Sequence, residues 1–234
     1  MERLVEATSK IVSKQKRFDP TKEESEHISN SVDRMNLFMD VAYEKVNEDL
    51  INRVNKVKDA IVSASKYDVN VRGNTIEFLI AGDDGELKNQ ILDSLRSGGF
   101  LPKFKNTHDF GDYEIDLDNF HVKVDIKTKL LNHKSCPKGY NIDKFLKFMA
   151  EPNSVYLLFL VGISDNGEIF TKLVPVFDKT LIEDSKKQPH WSGENSRGVI
   201  QFTGKTLCQF FEMKSFNLDD DYSIKFLKQL IEDR

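Results

Sequence analysis

The order of patterns along the chain predicts an α/β (α+β) fold: a mixed central β-sheet flanked by helices, with a helical N-terminal region ahead of it. Three observations carry that expectation. Residues 1–66 show helical spacing and no strand signal, residues 111–130 alternate with period two across a turn, and Val155–Ile163 is an unbroken apolar run of strand length.

In the first region Leu4, Val5, Ile11 and Val12 mark one amphipathic piece, and Asp19-Pro20 breaks it. Thr21 with Glu24 then reads as a capping box. Val46, Leu50, Val54, Val57 and Ile61 recur at three- and four-residue spacing, which predicts a helix whose stripe packs on its own domain. A change of period near Lys66-Tyr67 sets the expected division into 1–66, a helical region for dimerisation or DNA contact, and 67–234, the core.

Val69 and Val71, then Arg72-Gly73-Asn74, then Ile76, Phe78 and Ile80 predict a β-hairpin over 67–82. Leu87, Ile91, Leu92 and Leu95 are helically spaced, and Gly98-Gly99 close that helix. Residues 101–110 read as a short strand and loop. Beyond the central hairpin, 134–139 reads as a loop and Ile142–Ala150 as a short helix. Ser154–Ile163 and Ile169–Phe177 are strands around Asp165-Asn166-Gly167, and Tyr222–Ile231 is a helix.

Composition narrows the class. With 39% hydrophobic and 31% charged residues the chain is ordinary globular material. Its longest apolar run is too short to cross a bilayer, so no membrane association is expected. Met1–Lys10 has no apolar segment of the signal-peptide kind, and Cys136 and Cys208 form neither a disulfide framework nor a zinc spacing. A cytoplasmic protein is therefore expected. The net charge of −4 argues against an overall nucleic-acid footprint, yet Lys123, Lys127, Lys129, Lys134, Lys138, Lys144 and Lys147 cluster in and after the central hairpin.

The central hairpin fixes its own register. With Asp118-Asn119 as the turn, Leu117 faces Phe120, Asp116 faces His121, Ile115 faces Val122, Glu114 faces Lys123 and Tyr113 faces Val124. One face is then apolar and the other polar, and a one-residue slip would mix them. The next pair, Asp112 with Asp125, sets two carboxylates about 5 Å apart at Cβ, which a cation between them would relieve. Mg²⁺ takes hard oxygens, commonly one or two carboxylates with water and phosphate. Lys127 lies on the same face, about 6–7 Å further along the strand.

Asp112, followed across a hairpin by Asp125-Ile126-Lys127, resembles the motif of the PD-(D/E)xK nucleases, with Gly111 where the motif often has proline. The chain resembles a type II restriction endonuclease over roughly residues 76–177, and the order helix, strand hairpin, helix, strand is that of the nuclease core. The resemblance implies a restriction-endonuclease-like core and Mg²⁺-dependent hydrolysis of double-stranded DNA. It implies Asp112 and Asp125 as metal ligands, helped by the Ile126 carbonyl, and Lys127 as the residue that orients or deprotonates the attacking water. Glu86, in the first turn of the helix before the hairpin, matches the family's additional glutamate, and Glu77 is the alternative. A homodimer follows from the need to cut two strands. A repair or recombination nuclease of the same superfamily, and a non-catalytic binding module, are the competing readings.

His190, Trp191, Ser192, Asn195, Ser196 and Arg197 lie in a glycine-flanked polar segment whose donors suit base reading, and Lys129, Lys134 and Lys138 suit phosphate contact. Gly198–Thr206 is one residue too long for a phosphate-binding loop, so no nucleotide cofactor is expected.

Overall fold

The computed structural model describes residues 18–82, 85–99, 101–102, 111–117, 119–133, 138–187 and 198–232. The features predicted at residues 1–12, 103–110, 134 and 190–197 lie outside the described residues.

The Thr21–Glu24 capping box forms: the Thr21 hydroxyl accepts the Glu24 N–H (3.2 Å) and the Glu24 carboxylate accepts the Thr21 N–H (2.7 Å). It starts α1 (Lys22–Ser29), which is followed by α2 (Ser31–Val41), α3 (Tyr43–Lys56) and α4 (Lys58–Ala64). Val46, Leu50, Val54, Val57 and Ile61 are buried, but the helix predicted through them is two helices. At Val57 the backbone leaves the helical region (φ −119°, ψ 17°) before α4 begins.

The hairpin predicted over 67–82 does not form. Those residues make a helix, α5 (Val69–Ala81). Asp68 caps it by accepting the N–H groups of Asn70 (3.1 Å) and Val71 (3.2 Å). Its buried side chains include Arg72, Thr75, Ile76, Leu79 and Ile80, a stripe at three- and four-residue spacing that outweighs the strand propensity of its valines and isoleucines. Helix α6 (Glu86–Ser97) ends as predicted, at Gly98 in the left-handed conformation (φ 67°).

Strands β1 (Tyr113–Leu117) and β2 (Phe120–Leu130) form the central hairpin. After it come β3 (Lys138–Asn141), where a loop was expected, then α7 (Ile142–Met149), β4 (Ser154–Ile163) and β5 (Ile169–Pro175). The chain closes with α8 (Lys179–Lys187), β6 (Val199–Gln201), α9 (Gly204–Phe210) and α10 (Asp220–Glu232). The main sheet runs β1-β2-β4-β5 and is mixed: β1 and β5 are antiparallel to their neighbours, and β2 and β4 are parallel. Every residue of β4 is buried, as its unbroken apolar run requires. Strands β3 and β6 form a separate two-stranded sheet.

The apolar side chains from Ile28 to Leu230 join one core. Helix α2 packs on β4, and α5 packs across β2. Arg34 ties the first helices to the sheet, donating to the carbonyls of His27 (2.9 Å), Met149 (2.9 Å) and Ser154 (3.3 Å) and to the Ser154 hydroxyl (3.0 Å). Among the described residues no helix is long and apolar enough to cross a membrane.

Candidate active site

The hairpin adopts the predicted register at all five ladder positions, Tyr113↔Val124 to Leu117↔Phe120. On its polar face His121 meets Asp116 (2.6 Å), and Lys123 meets Glu114 (3.4 Å). The sixth expected pair departs from the ladder. The Asp112 N–H donates to the Val124 carbonyl (2.8 Å), and the Asp112 carboxylate accepts the Ile126 N–H (2.7 Å). Gly111 directs this ending with a φ of +82°, and a Cβ there would stand 3.2 Å from the Lys123 Cβ. Proline, locked near −65°, cannot take that conformation.

The two aspartates nevertheless share one site. Asp112 is 7% exposed and Asp125 8%. Burial, then the charges of Asp125 and Glu77, push the Asp112 carboxyl up to about 8, against the opposing pull of Lys127 and the Ile126 N–H. Lys127 closes the cluster with its ammonium 2.6 Å from Asp125 Oδ2. Burial works against that ammonium, but the surrounding carboxylates, Asp125 first, outweigh it and hold its pKa above the ordinary lysine value.

Of the two glutamates weighed from the sequence, the structure brings in Glu77. Because residues 69–81 are a helix lying across β2, Glu77 reaches the site, where burial pushes its carboxyl up to about 7, opposed by Lys127 and reinforced by Asp125. Glu86 is exposed in the first turn of α6, where it accepts a hydrogen bond from Gln90 (3.1 Å).

A lock of polar contacts holds these elements together. Tyr113, next to Asp112, donates to Asp49 Oδ2 (2.7 Å). Arg53 lies over the Tyr113 ring (4.8 Å), pairs with Asp49 (2.8 Å) and donates to the Ile80 carbonyl (3.3 Å). Helices α3 and α5 and strand β1 are thereby tied one residue from Asp112 and one turn from Glu77.

Sequence reasoning missed two tyrosines. Tyr140 and Tyr156 are buried beside Asp125, and burial, then the Asp125 charge, raises both phenols above the ordinary tyrosine value. The signal for Tyr156 was present: a residue with a polar tip near the start of an otherwise apolar strand.

The predicted phosphate contacts divide. Lys129 is 3% exposed and its ammonium is held by the His133 carbonyl, so it points into the fold. With His133, Thr203, Lys205 and Gln209 it lines a pocket of about 540 Å³ at the C-terminal end of β2. Lys138 opens β3. Lys134, His190, Trp191, Ser192, Asn195, Ser196 and Arg197 lie outside the described residues.

The donor set suits a hard divalent cation. Two adjacent buried carboxylates with a third nearby leave negative charge that Lys127 alone does not offset, and oxygen donors of this kind match Mg²⁺. Among the described residues no group of three or more His, Cys, Asp or Glu is placed to hold a metal ion. The fit is thus to an ion bound by one or two carboxylates that keeps room for water and phosphate.

Comparison of the chain with protein-family models finds no match, and comparison with curated proteins finds none either.

Proposed function

We propose that the protein is a Mg²⁺-dependent endodeoxyribonuclease with a PD-(D/E)xK, restriction-endonuclease-like core, cutting double-stranded DNA sequence-specifically as a type II restriction homodimer. One observation carries this reading: Asp112 and Asp125 are buried together, and Lys127 from the same strand is paired onto Asp125 at 2.6 Å. A surface ornament would not bury two acids beside a half-buried acid and lysine at such electrostatic expense.

In this reading Asp112 and Asp125 hold the ion. When bound, Mg²⁺ supplies charge stabilisation at the phosphoryl oxygens and a water of lowered pKa. Lys127, held by Asp125, would direct the attacking water and offset the charge of the transition state. Glu77, whose carboxyl burial pushes up to about 7, would accept a hydrogen bond from the attacking water in its ionised form. Ile126 keeps the Asp112 carboxylate turned toward the site through its N–H.

Incubation with plasmid of known sequence in Mg²⁺ tests the proposal. Discrete fragments are expected from the wild type and none from Asp125→Ala or Lys127→Ala. Wild-type cutting rates in either variant would sink the assignment, and cutting confined to branched or damaged DNA would move it to a repair nuclease.

A further inference from the structure

The N-terminal helices reach the site through one side chain. Asp49 and Arg53 are four residues apart on α3 and so share a face, where the Arg53 Nε pairs with Asp49 Oδ2 at 2.8 Å. The Tyr113 hydroxyl donates to that same oxygen (2.7 Å), and the Arg53 guanidinium lies 4.8 Å over the Tyr113 ring. Tyr113 is buried and is the residue after Asp112, whose carboxylate accepts the Ile126 N–H. From Nη1 the same guanidinium donates to the Ile80 carbonyl (3.3 Å), three residues past Glu77 on α5. Arg53 therefore touches both of the segments that carry Asp112 and Glu77.

Only one side-chain type makes these contacts together. Ile80 lies in the last turn of α5, where a carbonyl has no partner within the helix and takes one from outside. A planar guanidinium meets a carboxylate with one nitrogen, a carbonyl with another and an aromatic ring with its face, whereas the compact ammonium of lysine cannot span all three. Lys88 secures the same end of α5 by a simpler bond, from Nζ to the Gly82 carbonyl (3.0 Å).

We propose that the N-terminal helices are a working part of the cation site, acting through Arg53 as a positioning residue that sets the separation of Glu77 from Asp112. This role rests on Asp112 and Asp125 being cation ligands. Partners outside the ligands typically change metal affinity or activity by about 10–100-fold when altered. Arg53 acts at one further remove, through Tyr113 and the α5 backbone, so the lower end of that range is expected.

Mn²⁺ binding to the full chain, measured by calorimetry at neutral pH without DNA, tests the role. Arg53→Lys keeps the charge and loses the fork. It is expected to weaken Mn²⁺ binding about tenfold and to lower kcat for plasmid cleavage with KM for DNA unchanged. Tyr113→Phe keeps the ring under Arg53 and removes the bond to Asp49, and is expected to weaken Mn²⁺ binding by a smaller factor. Lys88→Met removes a cation–carbonyl bond from the same helix end, and is expected to lower the melting temperature and leave Mn²⁺ affinity unchanged. If Arg53→Lys weakens binding no more than Lys88→Met while Asp125→Ala abolishes it, Arg53 only ties down a helix end: the positioning role fails and the cation site stands. If Asp125→Ala binds like the wild type, or the wild type does not bind, the cation site fails and the positioning role with it.

Discussion

Among the described residues, buried carboxylates are treated in two opposite ways. Asp178 (0% exposed) accepts the N–H groups of Thr180 and Asn217, both at 2.8 Å, and so joins the start of α8 to the segment before α10. Asp184 (9% exposed) accepts the Thr203 N–H (2.6 Å) and hydroxyl (3.1 Å), which anchors the start of α9. These two are acceptors surrounded by donors. Asp112 and Asp125 are instead surrounded by one another and by Glu77, with Lys127 as the opposing charge. The first arrangement stabilises the fold. The second strains it, and such strain concentrates at sites that meet a ligand.

The largest expected effect follows from exchanging the two roles. Asp125→Ala should lower the cleavage rate at least about a thousandfold, on the order of 4 kcal/mol of transition-state stabilisation, and leave a folded protein. Asp178→Ala should do the reverse, losing about 3 kcal/mol of stability because two buried N–H donors lose their acceptor. Thermal unfolding and plasmid cleavage measured on both variants decide it. A stability loss in Asp125→Ala as large as in Asp178→Ala would erase the distinction.

A pH titration of stability is the next discriminator. Asp112 and Glu77 have folded pKa values of about 8 and about 7, against unfolded carboxyls near 4. Between about pH 4 and pH 8 the folded chain therefore holds protons that the unfolded chain has released, so their contribution to stability is present at low pH and lost as pH rises through that window. Asp112→Asn keeps an oxygen for the Ile126 N–H and removes the charge. It should melt about 2–4 °C above the wild type at pH 8 without divalent cation, about 1 kcal/mol for a chain of this size. The gap should narrow toward pH 5. Millimolar Mg²⁺ should raise the wild type and not the variant.

Much of this site was legible because a hairpin with one apolar face has a single sensible register, and the five pairs that alternation demands are the five that form. The ladder's last step was not legible. A positive φ at Gly111 turns the chain, and a side-chain acceptor replaces a backbone one at Ile126. The Val69–Ala81 helix was misread because its β-branched residues also fit an alternating pattern. Its true stripe includes Arg72 and Thr75, which no hydrophobic count would score. That misreading placed Glu77 on a strand and favoured Glu86. Tyr156 carried a local signal, a polar tip in an apolar strand, but its place beside Asp125 escaped because the pairing of β2 with β4 is parallel and joins residues far apart in sequence.

The smallest expected effect is the most pointed control. Asp184→Asn makes the same chemical change as Asp112→Asn, at a carboxylate whose neighbours are donors. One oxygen still accepts the Thr203 N–H, and the new amide can donate to the Thr203 hydroxyl, so the hydrogen-bond count survives. What is lost is the charge assistance to those bonds, about 0.5–1.5 kcal/mol. The variant should therefore melt slightly below the wild type at both pH 6 and pH 8, with cleavage unaffected. The sign is the informative quantity: the same substitution should stabilise at Asp112 and destabilise at Asp184. If Asp184→Asn were instead stabilising at pH 8, burial alone would explain both sites and the crowding of Asp112, Asp125 and Glu77 would carry no functional meaning.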